Sequence, residues 1–228
     1  SELLYCLRKG WVMRQLDAQP GGRTVVLDDT PDEQVFVWVV GHSHEAIFGQ
    51  GSIRGKSEFK DGIWYTPDFF VPDPEAPVDL STTGLLLTEM KSTRASAKKR
   101  MDEGEMNHYL HQLAAYCAAE GLTEGWVWVF HLNGDYYHQT TAGKAKGVGP
   151  QAILRCWKVT WDPRTLQRWW DELLRRKDVL EKPEMPAAAP SFEWECGYCK
   201  VRELINCPGG AEWQKAQARR GAKAQSME

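Results

Sequence analysis

The sequence has no run of apolar residues long enough to cross a membrane. A transmembrane helix needs about 18 or more mostly apolar residues in succession, and every apolar run here is interrupted by polar or charged residues before that length. The N-terminal residues SELLYCLRKGWVMRQL carry charges throughout, which is unlike a secretory signal peptide. These absences predict an intracellular protein that does not act at a membrane.

An excess of positive charge is also missing. The formal net charge is -3, whereas a protein that binds nucleic acid over its whole surface is basic. Any contact with nucleic acid would therefore come from a local patch or through metal ions. One basic patch lies in STRASAKKR, residues 92–100, and its charged residues are Arg94, Lys98, Lys99 and Arg100. The alternative for this patch is a solvated loop or helix face.

Disulfide bonds are not expected, although the chain has six cysteines. Disulfides are rare in reducing compartments, where clustered cysteines more often bind metal. Cys196-x-x-Cys199 is a chelating pair that can hold one ion or cluster, and Cys207 adds a third ligand. A fourth ligand must come from a distant segment. We predict that Cys117 and Cys156 are buried hydrophobic residues.

Composition and patterning predict one well-packed α/β domain. The chain has 228 residues, 42% hydrophobic and 26% charged, as in ordinary soluble globular proteins, and it has no internal repeat. Helical spacing or helix start and stop signals predict helices over residues 1–16, 30–48, 105–121 and 162–182. Strands are predicted in SIRGKSEFK, IWYTPDFFV, GLLLTEM, GWVWVFHL, YYHQ and AILRCWKVTW. The first two should pair about the turn dipeptide Asp61-Gly62.

Two apolar strands carry charged residues that a core does not need. Side chains alternate along a strand, so Glu89 and Lys91 of GLLLTEMK share one face. Asp68 would lie beside Glu89 if the two strands pair. Adjacent carboxylates repel unless a cation lies between them, and oxygen ligands suit Mg²⁺ or Mn²⁺. A divalent ion there would activate a water for attack on a phosphodiester, with Lys91 orienting the water or offsetting negative charge.

The P-D…E-x-K pattern is short, and a salt bridge on an exposed strand face is its structural alternative. Other residues strengthen the functional interpretation. Gln112 and Tyr116 lie four apart on a predicted helix, so that an amide and a phenol share one face. Upstream, GHSHE offers His44 and Glu45.

In chain order, the motifs G-x-x-H-E, P-D, E-x-K-S-T and Q-x-x-x-Y resemble those of the RecB-like branch of the PD-(D/E)xK nuclease superfamily. The chain is most similar to the CRISPR-associated small RecB-like exonucleases and their phage relatives, over nearly its whole length. The resemblance implies a restriction-endonuclease-like α/β core, a mixed central sheet flanked by helices. It also implies a cytoplasmic protein of a bacterial, archaeal or phage-infected cell.

The resemblance further implies the roles of individual residues. The Mg²⁺ or Mn²⁺ ligands would be His44, Asp68, Glu89 and the main-chain carbonyl of Met90. Lys91 would be catalytic together with Asp68 and Glu89, and Gln112 and Tyr116 carry over to the family's Q-x-x-x-Y motif. Glu45 matches the family's acidic neighbour of the histidine.

A family pattern like C-x-R-K in the first helix matches YCLRKGW at Cys6. It implies that Cys6, Cys196, Cys199 and Cys207 bind a 4Fe-4S cluster in a subdomain that joins the N- and C-terminal segments. Structural zinc is the alternative for the same ligands. We therefore divide the chain into a nuclease core (1–182), a Pro/Ala linker (183–191), a cysteine segment completed by Cys6 (192–210) and a flexible basic tail (211–228).

The leading hypothesis is a metal-dependent exonuclease that acts on DNA ends and single-stranded DNA in recombination, repair or CRISPR adaptation, with protein partners from those pathways. The alternatives are a structure-specific or restriction-type endonuclease and a non-catalytic DNA-binding module. The basic patch of residues 92–100 would contact phosphates. Most tryptophans, Trp64 among them, are expected in the core, while one or two near the site could stack on unpaired bases.

Overall fold

The computed structural model describes residues 3–18, 43, 46, 53–72, 84–93, 97, 106–132, 134, 152–192, 194–199 and 201–207. The chain divides into two compact units, one of residues 1–30 with 172–228 and the other of residues 31–171. The N-terminal helix therefore groups with the C-terminal residues, whereas the predicted core of residues 1–182 had placed it with the sheet.

The described strands all lie in the 31–171 unit. They are β1 (Ile53–Arg54), β2 (Glu58–Lys60), β3 (Ile63–Tyr65), β4 (Phe69–Pro72), β5 (Leu85–Thr93), β6 (Glu124–His131) and β7 (Ile153–Thr160). Among them, five form one sheet in the order β1-β4-β5-β6-β7, and β2 pairs with β3. Strand β5 is antiparallel to β4 and parallel to β6, which is antiparallel to β7. The prediction of a mixed central sheet flanked by helices is confirmed.

The described helices are α1 (Leu7–Asp17), α2 (Asn107–Glu120), α3 (Pro163–Leu180) and α4 (Val201–Leu204), with a 3-10 turn at Glu195–Tyr198. Helix α1 begins six residues later than predicted, while α2 and α3 lie where their periodicity placed them. Within the described part of the chain, no helix is long and apolar enough to span a bilayer.

The core of the 31–171 unit forms where α2 packs on the centre of the sheet. Helix α2 connects β5 to its parallel neighbour β6 and contacts both strands. Its buried Leu113 and Cys117 join Leu87 and Val127 in one apolar cluster. The helix ends at Gly121, whose left-handed conformation at φ 72° suits glycine.

Two predicted strands are each broken into two shorter ones. SIRGKSEFK separates into β1 and β2 around Gly55, where a Cβ atom would lie 2.1 Å from the Pro67 carbonyl oxygen. IWYTPDFFV separates into β3 and β4 around Pro67, which has no N–H to donate to a ladder. The predicted hairpin survives as β2 and β3, because Asp61 (φ 51°) and Gly62 (φ 84°) adopt the left-handed conformations of a tight two-residue turn. As a consequence, Asp68 stands at the start of β4.

Three predicted elements lie wholly or mostly outside the described residues. Of the helix over 30–48, only Ser43 and Ala46 are described, and both are helical. The strand YYHQ and the tail of residues 211–228 are the other two.

Candidate active site and cysteine cavity

The pairing of β4 with β5 brings Asp68 next to Glu89. Phe69 is the partner of Thr88, so the preceding Asp68 falls beside the following Glu89. The Asp68 Oδ2 atom accepts a hydrogen bond of 2.9 Å from the Met90 backbone N–H. This bond takes the place of a ladder bond at the point where β4 begins, and it fixes the carboxylate against β5.

Glu89 is completely buried at the centre of this site. It forms an ion pair with Lys91, whose Nζ lies 3.9 Å from Asp68 Oδ2. Apart from that ion pair, neither Glu89 oxygen has a hydrogen-bond partner among the described residues. Burial raises the pKa of Glu89 to about 8, although the Lys91 charge opposes the rise. Buried carboxylate oxygens without donors are suited to a cation.

The ammonium group of Lys91 remains charged at this site. Burial lowers the pKa of Lys91, but the negative charges of Glu89 and Asp68 outweigh burial and raise it overall. A lysine whose pKa is raised is a poor base at neutral pH. The electrostatics therefore favour a role for Lys91 in positioning water or balancing charge over a role in removing a proton.

One face of α2 adds the amide and phenol expected from the sequence. Gln112 Nε2 donates to the Tyr116 hydroxyl over 2.9 Å. Burial first, and then the negative charge of Glu89, raises the pKa of Tyr116. The α2 face therefore lies within electrostatic reach of the carboxylates.

Tyr109 is an additional residue at this site that sequence reasoning missed. Its pKa is raised by burial, while a hydrogen bond with Thr93 and the Lys91 charge oppose the rise. Tyr109 precedes Gln112 by three positions and so shares its helix face. That spacing was the signal available in the sequence.

The described part of the site holds only some of the expected ion ligands. No three His, Cys, Asp or Glu side chains in the described part of the chain are placed to bind one metal ion. His44, Glu45, Arg94, Lys98, Lys99 and Arg100 all lie outside the described residues. The N–H and C=O of one strand residue point to the same edge, so the Met90 carbonyl is directed toward the edge where Asp68 lies.

The four cysteines expected to act together line one cavity in the unit formed by the two chain ends. Cys6 stands just before α1, Cys196 is in the 3-10 turn, Cys199 ends that turn and Cys207 follows α4. Burial, and then the charges of the other three cysteines, raises the pKa of Cys196. The four thiols are thus within electrostatic reach of one another.

Three charged side chains hold the segments around the cysteine cavity together. The buried Glu195 carboxylate accepts hydrogen bonds from the backbone N–H groups of Cys6 (2.6 Å) and Phe192 (2.8 Å). The Arg8 guanidinium donates to the Pro186 carbonyl at 2.8 Å and lies 3.7 Å from Cys207 Sγ. Arg176 donates to the backbone carbonyl of Tyr5 and, at 2.6 Å, to that of Leu3. The segment before α1 is therefore fixed against the C-terminal residues.

The two remaining cysteines differ from each other. Cys117 is buried in the core, as predicted, and its thiol contacts the Glu124 carbonyl at 3.5 Å. Cys156 was predicted to be buried but is exposed. Its strand, β7, is the outermost of the described strands in the sheet, and its residues are all exposed or half-buried.

Comparison with known proteins adds information about the fold alone. No family model and no curated protein matches the chain. The crystal structure of SSO0001 is similar to it, with a TM-score of 0.51, 14% sequence identity, and coverage of 91% of this chain and 84% of that one. The chain thus shares a mixed α/β architecture with a solved structure of very different sequence.

Proposed function

We propose that this protein is a divalent-metal-dependent deoxyribonuclease with a PD-(D/E)xK core, and that it acts as an exonuclease on DNA ends. The observation that carries the proposal is the buried Glu89 carboxylate, which lies beside Asp68 and has Lys91 as its ion-pair partner. A core strand gains no stability from two adjacent carboxylates. A function that needs them gives a reason for their presence.

Different residues at the site would bind the ion, orient the water and hold the phosphate. Asp68 and Glu89 would hold a Mg²⁺ or Mn²⁺ ion, with the Met90 carbonyl and His44 completing the ligands. When bound, the ion supplies an activated water and neutralises charge on the phosphodiester. Lys91 would orient that water and balance developing negative charge, because it stays protonated beside the two carboxylates. The Gln112–Tyr116 pair would hold the scissile phosphate through its N–H and O–H donors.

The cysteine cavity would hold a 4Fe-4S cluster. Cys6, Cys196, Cys199 and Cys207 line one cavity. The family resemblance favours iron–sulfur, and structural zinc is the alternative for the same ligands. The cluster would tie the chain ends together as a small subdomain, so that its role is stability and the shape of the DNA channel.

The partner would be DNA with a single-stranded end. Contacts to its phosphates would come from Arg94, Lys98, Lys99 and Arg100, which follow directly on β5 in the sequence. The biological setting would be recombination, repair or CRISPR adaptation, together with the proteins of those pathways.

A cleavage assay tests the proposal. Wild-type protein and the Glu89→Ala variant are incubated with end-labelled single-stranded DNA and Mn²⁺, and circular DNA is compared with linear DNA. The proposal expects wild-type cleavage of linear DNA only and none by the variant. Cleavage of circles would indicate an endonuclease, and no cleavage by the wild type would indicate a DNA-binding module.

A further inference from the structure

The β2–β3 hairpin presents two large aromatic side chains to solvent. Phe59 and Trp64 are directly opposite each other across the two strands. Their side chains are 58% and 70% exposed, and their ring centroids lie 4.9 Å apart with the planes tilted by 43°. The sequence pattern predicted Trp64 in the core, and the structure contradicts this. A cross-strand aromatic pair contributes about 0.2–1 kcal/mol to a hairpin, but leaving the outer faces of the rings open to water adds nothing to that contribution.

The opposite face of the hairpin fixes it beside the α2 face of the active site. Alternate strand residues point to opposite faces, and the ring centroid of Tyr65, next to Trp64, lies 6.2 Å from that of Tyr116, with the ring planes tilted by 33°. Lys60 donates to the carbonyls of Ala118 (3.2 Å) and Ala119 (2.7 Å) near the end of α2. The two exposed rings are therefore carried on a support that also contacts the Gln112–Tyr116 pair.

The size of this surface decides what can bind to it. A specific protein partner needs about 800 Å² of surface on each side, whereas a Phe and a Trp offer at most about 150–250 Å² each. Two rings instead match the faces of one or two nucleobases. Bases stack on aromatic side chains irrespective of sequence, but only when they are unpaired.

We propose that Phe59 and Trp64 form a stacking platform for one or two unpaired bases of a DNA strand whose phosphodiester lies at Asp68, Glu89 and Lys91. The inference rests on the proposed nuclease function and adds a base-contacting subsite to it. The platform selects single-stranded over duplex DNA, because paired bases do not expose their faces.

Binding to two oligonucleotides tests the platform. Fluorescence anisotropy, in EDTA to prevent cleavage, measures the affinity for a labelled oligothymidylate and for an abasic strand of the same length. For Phe59→Leu/Trp64→Leu we expect a loss of about five- to hundredfold on the oligothymidylate and no change on the abasic strand. The single variant Trp64→Phe, which keeps a ring at this position, should retain most of the wild-type affinity for the oligothymidylate.

The control is Met185→Ala, which removes another exposed apolar side chain, 45% exposed and outside the 31–171 unit, and should bind as the wild type does. Unchanged oligothymidylate affinity in the double variant would overturn the platform, as would equal losses on both strands. A dimer that becomes monomeric on double substitution, with DNA affinity unchanged, would reassign the rings to self-association. A wild type that binds neither strand would overturn the nuclease proposal itself.

Discussion

The Asp68 carboxylate accepts a 2.9 Å hydrogen bond from the Met90 backbone N–H and so replaces a strand contact with a side-chain contact at the start of β4. The bond fixes one oxygen of Asp68, while its second oxygen can bind a further partner. Because β4 begins one residue after Asp68, the side chain of Asp68 bonds to β5 at this point. This bond fixes the direction of the Asp68 carboxylate. The proposed ion site depends on that direction.

Substitution of Lys91 should separate cleavage from binding. Lys91→Met keeps the aliphatic stem but removes the charge that pairs with Glu89. We expect the cleavage rate on single-stranded DNA to fall about a hundredfold or more, with DNA affinity changed less than about threefold. Lys182→Met, at an exposed position just after α3, is the control. A variant that cleaves at the wild-type rate would remove Lys91 from the mechanism.

Glu89 should make the metal-free protein less stable as the pH rises. Its pKa is about 8, raised mainly by burial from an ordinary 4.5. The folded state then holds this proton more tightly than the unfolded state, so the stabilisation is complete below about pH 4.5 and is lost as the pH rises through about 8. Lys91 is protonated in both states across this range.

The measurement for this pH effect is the Tm in a chelating buffer between about pH 5 and pH 8. The wild-type Tm should fall more steeply than that of Glu89→Gln, whose amide does not titrate. Equal slopes for the two proteins would show that Glu89 is not the titrating group.

Part of this site was predictable from the sequence because side chains alternate along a strand, a local rule that placed Glu89 with Lys91. The position of Asp68 beside them depended on the pairing of β4 with β5, which the sequence only suggested. The break at Gly55 was missed because it depends on a close approach to the Pro67 backbone. The break at Pro67 follows from the missing N–H of proline, a signal that was present in the sequence. Trp64 and Cys156 were wrongly expected to be buried, because periodicity identifies an apolar residue but does not reveal whether another element covers it.

Substitutions of the four cavity cysteines should be distinguishable from substitutions of the other two by the colour of the purified protein. Cys6→Ala should abolish the brown absorbance and the iron content of anaerobically purified protein. Cys117→Ala, in the core, and Cys156→Ala, on β7, should retain both. Stoichiometric zinc with no iron in the wild type would replace the iron–sulfur assignment, and equal colour in all variants would refute the ligand set.

Glu195 should act as a positioning residue for Cys6. Glu195→Ala leaves the N–H groups of Cys6 and Phe192 without their acceptor, at a cost of about 1–3 kcal/mol in unfolding free energy. The iron occupancy of Glu195→Ala should also fall, because Cys6 is no longer held at the cavity. Glu195→Gln retains an acceptor oxygen and should recover part of the occupancy. The exposed Glu184→Ala should match the wild type, and full occupancy in Glu195→Ala would contradict this role.

The most direct test of the central claim is Mn²⁺-dependent cleavage of end-labelled single-stranded DNA by Asp68→Asn. The asparagine keeps an oxygen for the Met90 N–H, so the fold should be preserved, but it removes the charge that would hold the ion. The exposed Asp171→Asn, whose carboxylate accepts from Gln167 on α3, is the matched control. We predict a loss of about a hundredfold or more in Asp68→Asn and wild-type activity in the control. Equal cleavage by Asp68→Asn and the wild type would contradict the account.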